Sequence, residues 1–223
     1  MRSLDELLAE AVSMHGGCIC PGQVLGVRMA MLGCKLLGVE IPAQKKNLIV
    51  YVEMDRCMAD AIAAVTGCRL GKRTLKYVDY GKCACTFVDT VSGRAIRVSA
   101  RDSAREDAGR YAPLTLGKSD AQRVAYKVMP DDELFVTRDV AICIPDHDRP
   151  GRPVSRVACH VCGEGINDRR EVRLNGQVLC RACAYGSYYK VSDPTERGHM
   201  KYSSEKPSSS LSPFFIQKEP RSP

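Results

Sequence analysis

Apolar positions at Leu4, Leu7, Leu8 and Ala11 recur at helical spacing, and Ser3 with Glu6 three residues on forms a capping box. Together they predict a first helix from Ser3 to Met14. Val24, Leu25, Leu32, Leu36 and two methionines give the next segment a wide apolar surface. Pro21 suits its first position and Gly38 its C-cap, so a second, central helix is predicted from Pro21 to Leu37. The period then changes. Asn47–Met54 (NLIVYVEM) is a β-branched run of strand length, and it leads into a predicted helix from Arg56 to Thr66 that ends at Gly67. Leu75–Asp79, Lys82–Asp89 and Arg94–Ser99 read as three short strands, the last two joined by a turn at Val91-Ser92-Gly93. Arg101–Arg110 and Ser119–Met129 read as surface helices, and Glu133–Cys143 as a last strand. Helices interleaved with hairpins predict an α+β domain in which helices pack on a mixed or antiparallel sheet.

The pattern stops at Ile144–Pro153, where three prolines and a glycine exclude regular structure. This gives an α+β domain over 1–143, a linker over 144–154 and a small domain over 155–190. From Ser203 the composition turns to Ser, Pro and Lys, so residues 203–223 are expected to be a disordered tail, with Phe214-Phe215-Ile216 as an apolar island.

The chain has 223 residues, 44% hydrophobic and 26% charged, values of an ordinary globular protein. No apolar run approaches the roughly 18–20 residues of a membrane span. The N-terminus carries Asp5 and Glu6 where a signal peptide has its apolar core. A cytoplasmic location is therefore expected. The net charge of +7 contains no run of five basic residues, and Trp is absent, which disfavours nucleic acid as a partner. Twelve cysteines change the picture. In a reducing compartment that many point to metal binding or thiol chemistry rather than disulfides.

Cys159-His160-Val161-Cys162 and Cys180-Arg181-Ala182-Cys183 are CxxC knuckles separated by 17 residues (163–179). Two knuckles supply four thiolates for a closed tetrahedral site, a structural zinc arrangement with iron as its chemical alternative. The intervening segment carries an Asn175-Gly176 hairpin turn, so knuckle, hairpin, knuckle and helix compose a C4 treble clef. The second concentration of donors is His15-Gly16-Gly17-Cys18-Ile19-Cys20-Pro21-Gly22, a tight loop at a helix N-terminus, where the partial positive charge favours thiolate. Cys57 lies where a strand gives way to a helix, and Asp60 is one turn further on. His15, Cys18, Cys20 and Cys57 are candidate ligands of a second transition metal, zinc, iron or nickel. Asp60, Lys72, Lys82 and Arg28 are candidate anion or substrate groups, Arg28 being open equally to an acid partner. Gly67–Arg73 resembles a phosphate loop but is one residue short and lacks the following Ser or Thr. Cys34, Cys83 and Cys85 read as buried structural thiols, with Cys83 and Cys85 on one strand face. His147, between two aspartates, reads as a solvated loop residue.

Cys20–Ala30 (CPGQVLGVRMA), Arg56–Lys82 (RCMADAIAAVTGCRLGKRTLKYVDYGK) and the C-terminal finger together resemble the FmdE family of formylmethanofuran dehydrogenase proteins, over about Ser3 to Lys190. The resemblance implies an α+β metal-binding domain followed by a treble-clef zinc domain, pairing into a homodimer, and association with a molybdenum or tungsten oxidoreductase system. The family loop reads His-Gly-His-x-Cys-Pro-Gly. Here Cys20 and Cys57 match family cysteines, the second histidine falls on Cys18, and the loop is one residue longer. An exchange of His for Cys makes the site softer. No pterin or iron–sulfur signature accompanies it, so a metal-binding accessory protein is expected. A metalloenzyme using the N-terminal site and a zinc-finger regulatory or nucleic-acid-binding protein are the alternatives.

Overall fold

The computed structural model describes residues 2–43 and 47–190. Its contacts divide the chain into two compact units, Met1–Arg156 with Asn167–Arg169, and Val157–Ile166 with the chain from Arg170 onward. The first unit carries the α+β fold and the second the small cysteine-rich fold. The predicted tail and its apolar island lie outside the described residues.

Helix α1 (Leu4–Met14) is closed by the expected capping box, with Ser3 Oγ accepting from the Glu6 N–H and Glu6 accepting from the Ser3 N–H at 2.7 Å. Helix α2 (Pro21–Leu37) ends at Gly38 in the left-handed conformation, as does α3 (Cys57–Thr66) at Gly67. Strands β1 (Leu48–Val52), β2 (Leu75–Tyr77), β3 (Ala84–Asp89), β4 (Ala95–Ala100) and β5 (Phe135–Val140) make one sheet in the order β2-β1-β3-β4-β5. The β1–β2 pair is parallel and the others antiparallel. The sheet is therefore mixed, as the alternation of helices and hairpins implied.

The register settles which side chains share a face. Val50, Phe87 and Ile96 align across β1, β3 and β4, as do Val52, Cys85 and Val98. These residues form the floor of the main core, and α2 lies over β3 and β4 with α1 and α3 beside it. Ile49, Val88 and Ala95 make a smaller apolar cluster on the opposite face. Gly26 sets how closely α2 and α3 cross. A Cβ there would lie 2.6 Å from the Met58 carbonyl oxygen and 2.8 Å from Ala61 Cβ. Only hydrogen fits, and the short separation draws the N-termini of α2 and α3 together.

Three expectations change. Arg101–Arg110 holds only a short helix α4 (Ser103–Asp107) and a 3₁₀ turn at Ala108–Arg110. Helix α5 (Lys118–Val128) is not a surface helix throughout, because Ala125, Tyr126 and the following Met129 are buried against α2. The last strand starts later than Glu133, since Pro130 and three acidic residues open a helical turn, α6 (Asp131–Leu134). The proline-rich segment after β5 is held to the first unit. Arg73 donates to the His147 carbonyl, and Lys76 Nζ lies 3.0 Å from Asp148 Oδ1.

The second unit contains all but the outermost pair of the ribbon β6 (Arg156–Ala158) with β7 (Gly165–Asn167), then the ribbon β8 (Val172–Leu174) with β9 (Gln177–Leu179) and helix α7 (Arg181–Tyr185). Asn175 and Gly176 both have positive φ, 50° and 78°, in the two-residue turn anticipated for that hairpin.

Candidate metal centres

In the C-terminal unit, chain turns do the assembling. The Gly163 N–H donates to the Cys159 carbonyl at 3.0 Å and closes the first knuckle. The His160 N–H donates to the Val178 carbonyl at 2.8 Å, fastening that knuckle to the hairpin. The second knuckle opens α7, with Cys180 Sγ accepting from the Cys183 N–H at 3.3 Å. The Cys180 N–H in turn donates to Cys159 Sγ at 3.2 Å. All four sulfurs of Cys159, Cys162, Cys180 and Cys183 lie within 4.8 Å of one another.

The dimensions fit zinc. A Zn–S bond of about 2.3 Å in a tetrahedron places sulfurs about 3.8 Å apart. Cys162 Sγ and Cys180 Sγ are 3.9 Å apart. The electrostatics fit as well. Backbone N–H groups of Cys162 and Cys180 pull the Cys159 thiol down to about 6. The hydrogen bond to Cys180, followed by burial and the other two sulfurs, pushes Cys183 up to about 12. Four thiolates at this spacing repel one another, and a central divalent cation removes that conflict.

The N-terminal donors come together in two pairs. His15 caps the end of α1, its N–H donating to the Ala11 carbonyl at 3.0 Å. Gly16 and Gly17 follow with φ of 89° and 90°, a path that side chains other than glycine rarely take. The chain then reverses into α2 with Cys20 as N-cap. Gln23 holds this entry. It accepts from the Cys20 N–H at 3.3 Å and donates to the Ala11 carbonyl at 3.3 Å while fully buried. Sequence reasoning missed Gln23, although a Gln three residues after an N-cap is a capping-box signal.

Cys57 is the first residue of α3, beside the start of α2. A Cβ placed on Gly22 would lie 3.5 Å from Cys57 Cβ and 3.7 Å from Cys20 Sγ, in ordinary contact with both, so the two cysteines flank the same point at the start of α2. Burial pushes the Cys57 thiol up, and its hydrogen bond to Cys20 adds to this. Asp60 lies one turn along α3, and its Oδ2 is 2.8 Å from His15 Nδ1. Cys18 is exposed at the loop. Among the described residues, the finger cysteines are the group that brings three or more such donors within 4.8 Å.

The remaining candidates are placed as follows. Arg28 turns its guanidinium on the end of α5, donating to the carbonyls of Tyr126, Lys127 and Met129 and pairing with Asp131 at 2.6 Å. It is thus a helix clamp with an acid partner. Lys72 is exposed on the turn after Leu70, and Lys82 places its ammonium 5.7 Å from the Tyr80 ring centroid. Cys85 is fully buried on its strand, and Cys83 Sγ is 3.4 Å from Met58 Sδ, with burial pushing its thiol up to about 11. A cavity of about 1000 Å³, lined by Met31, Leu32, Cys34, Lys35, Val39 and Ile41 among others, opens toward the far end of α2 from Cys20.

Comparison with known proteins now adds to this geometry. The profile described as FmdE, molybdenum formylmethanofuran dehydrogenase operon, matches residues 14–136, more than half of the 223. That of the prokaryotic dksA/traR C4-type zinc finger matches residues 152–189. A curated protein from Archaeoglobus fulgidus, described as a "Probable S-adenosyl-L-methionine-binding protein", is 30% identical over 91% of this chain, which spans 58% of that protein's length. The crystal structure of a tungsten formylmethanofuran dehydrogenase FmdE-like protein from Syntrophus aciditrophicus superposes with a TM-score of 0.57. It is 21% identical and the match covers 85% of this chain and 96% of that one.

Proposed function

The chain belongs to the FmdE, molybdenum formylmethanofuran dehydrogenase operon, family, and on that premise we propose that it is a metal-binding accessory protein of a molybdenum- or tungsten-dependent oxidoreductase system. Its C4 finger takes a structural zinc. Its larger unit takes a second transition metal at the loop after α1 and the start of α3. The observation that carries this reading is the adjacency of Cys20 and Cys57, two thiols at the N-termini of two helices, with His15 braced nearby by Asp60. Thiolate with neutral imidazole is the donor set of a soft or borderline ion, and a bound cation would stabilise the charged form of thiols that burial otherwise keeps protonated. Cys18, on the same loop, is the fourth candidate donor. All twelve cysteines are unpaired, in keeping with a cytoplasmic location.

Elemental analysis of protein purified without added metal tests the reading. Two metals per chain are expected for the wild type and one for the Cys20→Ala, Cys57→Ala double variant. One metal in both would leave only the finger zinc and overturn it.

Two copies are expected to pair, as in the family the sequence resembles. Light scattering in solution checks this, and a molar mass of one chain would refute it.

An enzymatic role for the same site is the second reading. Three protein donors leave one coordination position open to water or substrate. Tyr80 and Lys82 both donate their N–H groups to the Glu53 carbonyl, at 3.2 and 3.1 Å, which ties the Lys82 loop to the junction that leads into Cys57. A structure with bound substrate tests it, and one placing Lys82 far from the metal would count against it.

A further inference from the structure

Asp60 invites three different assignments: metal ligand, substrate or anion clamp, and surface ion-pair partner. The geometry separates them. Asp60 Oδ2 lies 2.8 Å from His15 Nδ1. Cys57 and Asp60 occupy the same face of α3, one turn apart, and Cys57 is the residue that meets Cys20. The acid thus stands beside the thiol pair on α3 and holds the imidazole by hydrogen bond. Metal-bound histidines almost always donate their second ring N–H to a carboxylate, carbonyl or water, which sets the tautomer and the ring orientation. A proton on Nδ1 directed at Asp60 leaves the lone pair on Nε2.

We propose that Asp60 is the positioning carboxylate of the N-terminal metal site, holding His15 so that Nε2 is its ligand atom. This rests on the reading that the site binds a metal, and it goes beyond that reading by assigning the residue that aims the imidazole. Asp60 is then neither a ligand nor a substrate clamp. The side chains of His15 and Asp60 are 28% and 51% exposed. An ion pair that open contributes little to folding. An effect of Asp60 on metal affinity is accordingly not an indirect effect of a destabilised chain.

The test uses the full chain with its finger already zinc-loaded and titrates Co²⁺ into wild type, Asp60→Ala, Asp60→Asn, His15→Ala and the His15→Ala, Asp60→Ala double variant. Thiolate-to-cobalt absorption reports binding, and ¹⁵N shifts of the zinc-loaded forms report which His15 nitrogen is metallated. Asp60→Ala is expected to weaken binding by about 10–100-fold, with an unchanged melting temperature and loss of the uniform Nε2 signature. Asp60→Asn, which keeps an acceptor, recovers part of the affinity. In the His15→Ala background, Asp60→Ala causes no further loss of affinity, because the acid's support of the site runs through the ring.

Wild-type affinity in Asp60→Ala would overturn the proposal while leaving the metal site intact. A further loss in the His15→Ala background would also overturn it, by making Asp60 a ligand. Failure of the wild type to bind any second ion would instead remove the metal-site reading itself.

Discussion

Replacing Cys159 with serine unfolds the C-terminal unit. The core of that unit consists of Cys159, Ile166 and Leu179, with Val157, Val178 and Ala184 partly buried around it. Burying an aliphatic side chain of this kind contributes about 1.5–3 kcal/mol. Ribbons of three-residue strands and a five-residue helix give that unit little else to pack. Zinc in a four-thiolate shell, which contributes about 10–16 kcal/mol in small finger domains, is therefore expected to supply much of its folding energy. Cys159 is the most buried of the four ligands, at 2% exposure, and its sulfur accepts the N–H of the opposite knuckle, so a serine removes both a thiolate and the tie between knuckles.

The expected result is one zinc fewer per chain and rapid hydrogen exchange across residues 157–190. The larger unit keeps its own melting transition, because its core of Leu7, Val24, Met29, Val50 and Phe87 is built from its own elements. Chelation of the wild type gives the same exchange pattern and added zinc reverses it, whereas the variant does not respond. Persistent protection of the β8–β9 hairpin without zinc would show that apolar packing suffices there.

The finger was legible because its ligands are close in sequence. A CxxC knuckle is a local device, and the Asn-Gly turn between the two knuckles fixes how they return to each other. Helices α1, α2 and α3 were legible for a related reason, since Ser3, Pro21, Gly38 and Gly67 mark their ends through backbone chemistry alone. What joins Cys20 to Cys57 is different in kind. It depends on the approach of α2 to α3 at Gly26, and in the sequence Gly26 shows only as a glycine inside a helix, where it reads as a weakness. Asp60 likewise drew notice for its position on α3, while its partner His15 lies 45 residues away. Helix α5 misled for a third reason. Its polar pattern is that of a solvated helix, but Arg28 reaches from α2 to its terminal carbonyls and Tyr126 is drawn into the core. A long-range cation that caps another helix leaves no periodic trace.

Replacing Glu53 with alanine destabilises the larger unit by about 3–5 kcal/mol. Glu53 follows β1, and its carboxylate reaches past β3 to Arg97 on β4. Arg97 Nε and Nη2 donate to its two oxygens at 2.6 and 2.7 Å, a bidentate fork. The carboxylate side chain is 7% exposed and the guanidinium 22%. Their hydrogen bond holds the Arg97 guanidinium above its ordinary range. Arginine stays charged, so truncating Glu53 leaves a largely buried cation without a counter-ion over the sheet. At about 2–4 °C per kcal/mol for a protein of this size, the melting temperature falls by roughly 10 °C. Removing both charges separates the cost of an orphaned ion from the worth of the pair. The Glu53→Met, Arg97→Met double variant is expected to regain most of the lost stability, because two apolar side chains replace two desolvated ions. If Glu53→Ala instead costs under about 1 kcal/mol, water reaches Arg97 and the pair behaves as a surface one. The distinction bears on the metal site. The Glu53 N–H donates to the Ala84 carbonyl at 3.0 Å, and its carbonyl receives the Tyr80 and Lys82 N–H groups. The residue thus anchors the β1–α3 junction four positions before Cys57, through backbone bonds that alanine retains. Metal stoichiometry is therefore expected to survive the substitution at temperatures where the chain stays folded, and its loss would mean that the fork itself holds the junction in place.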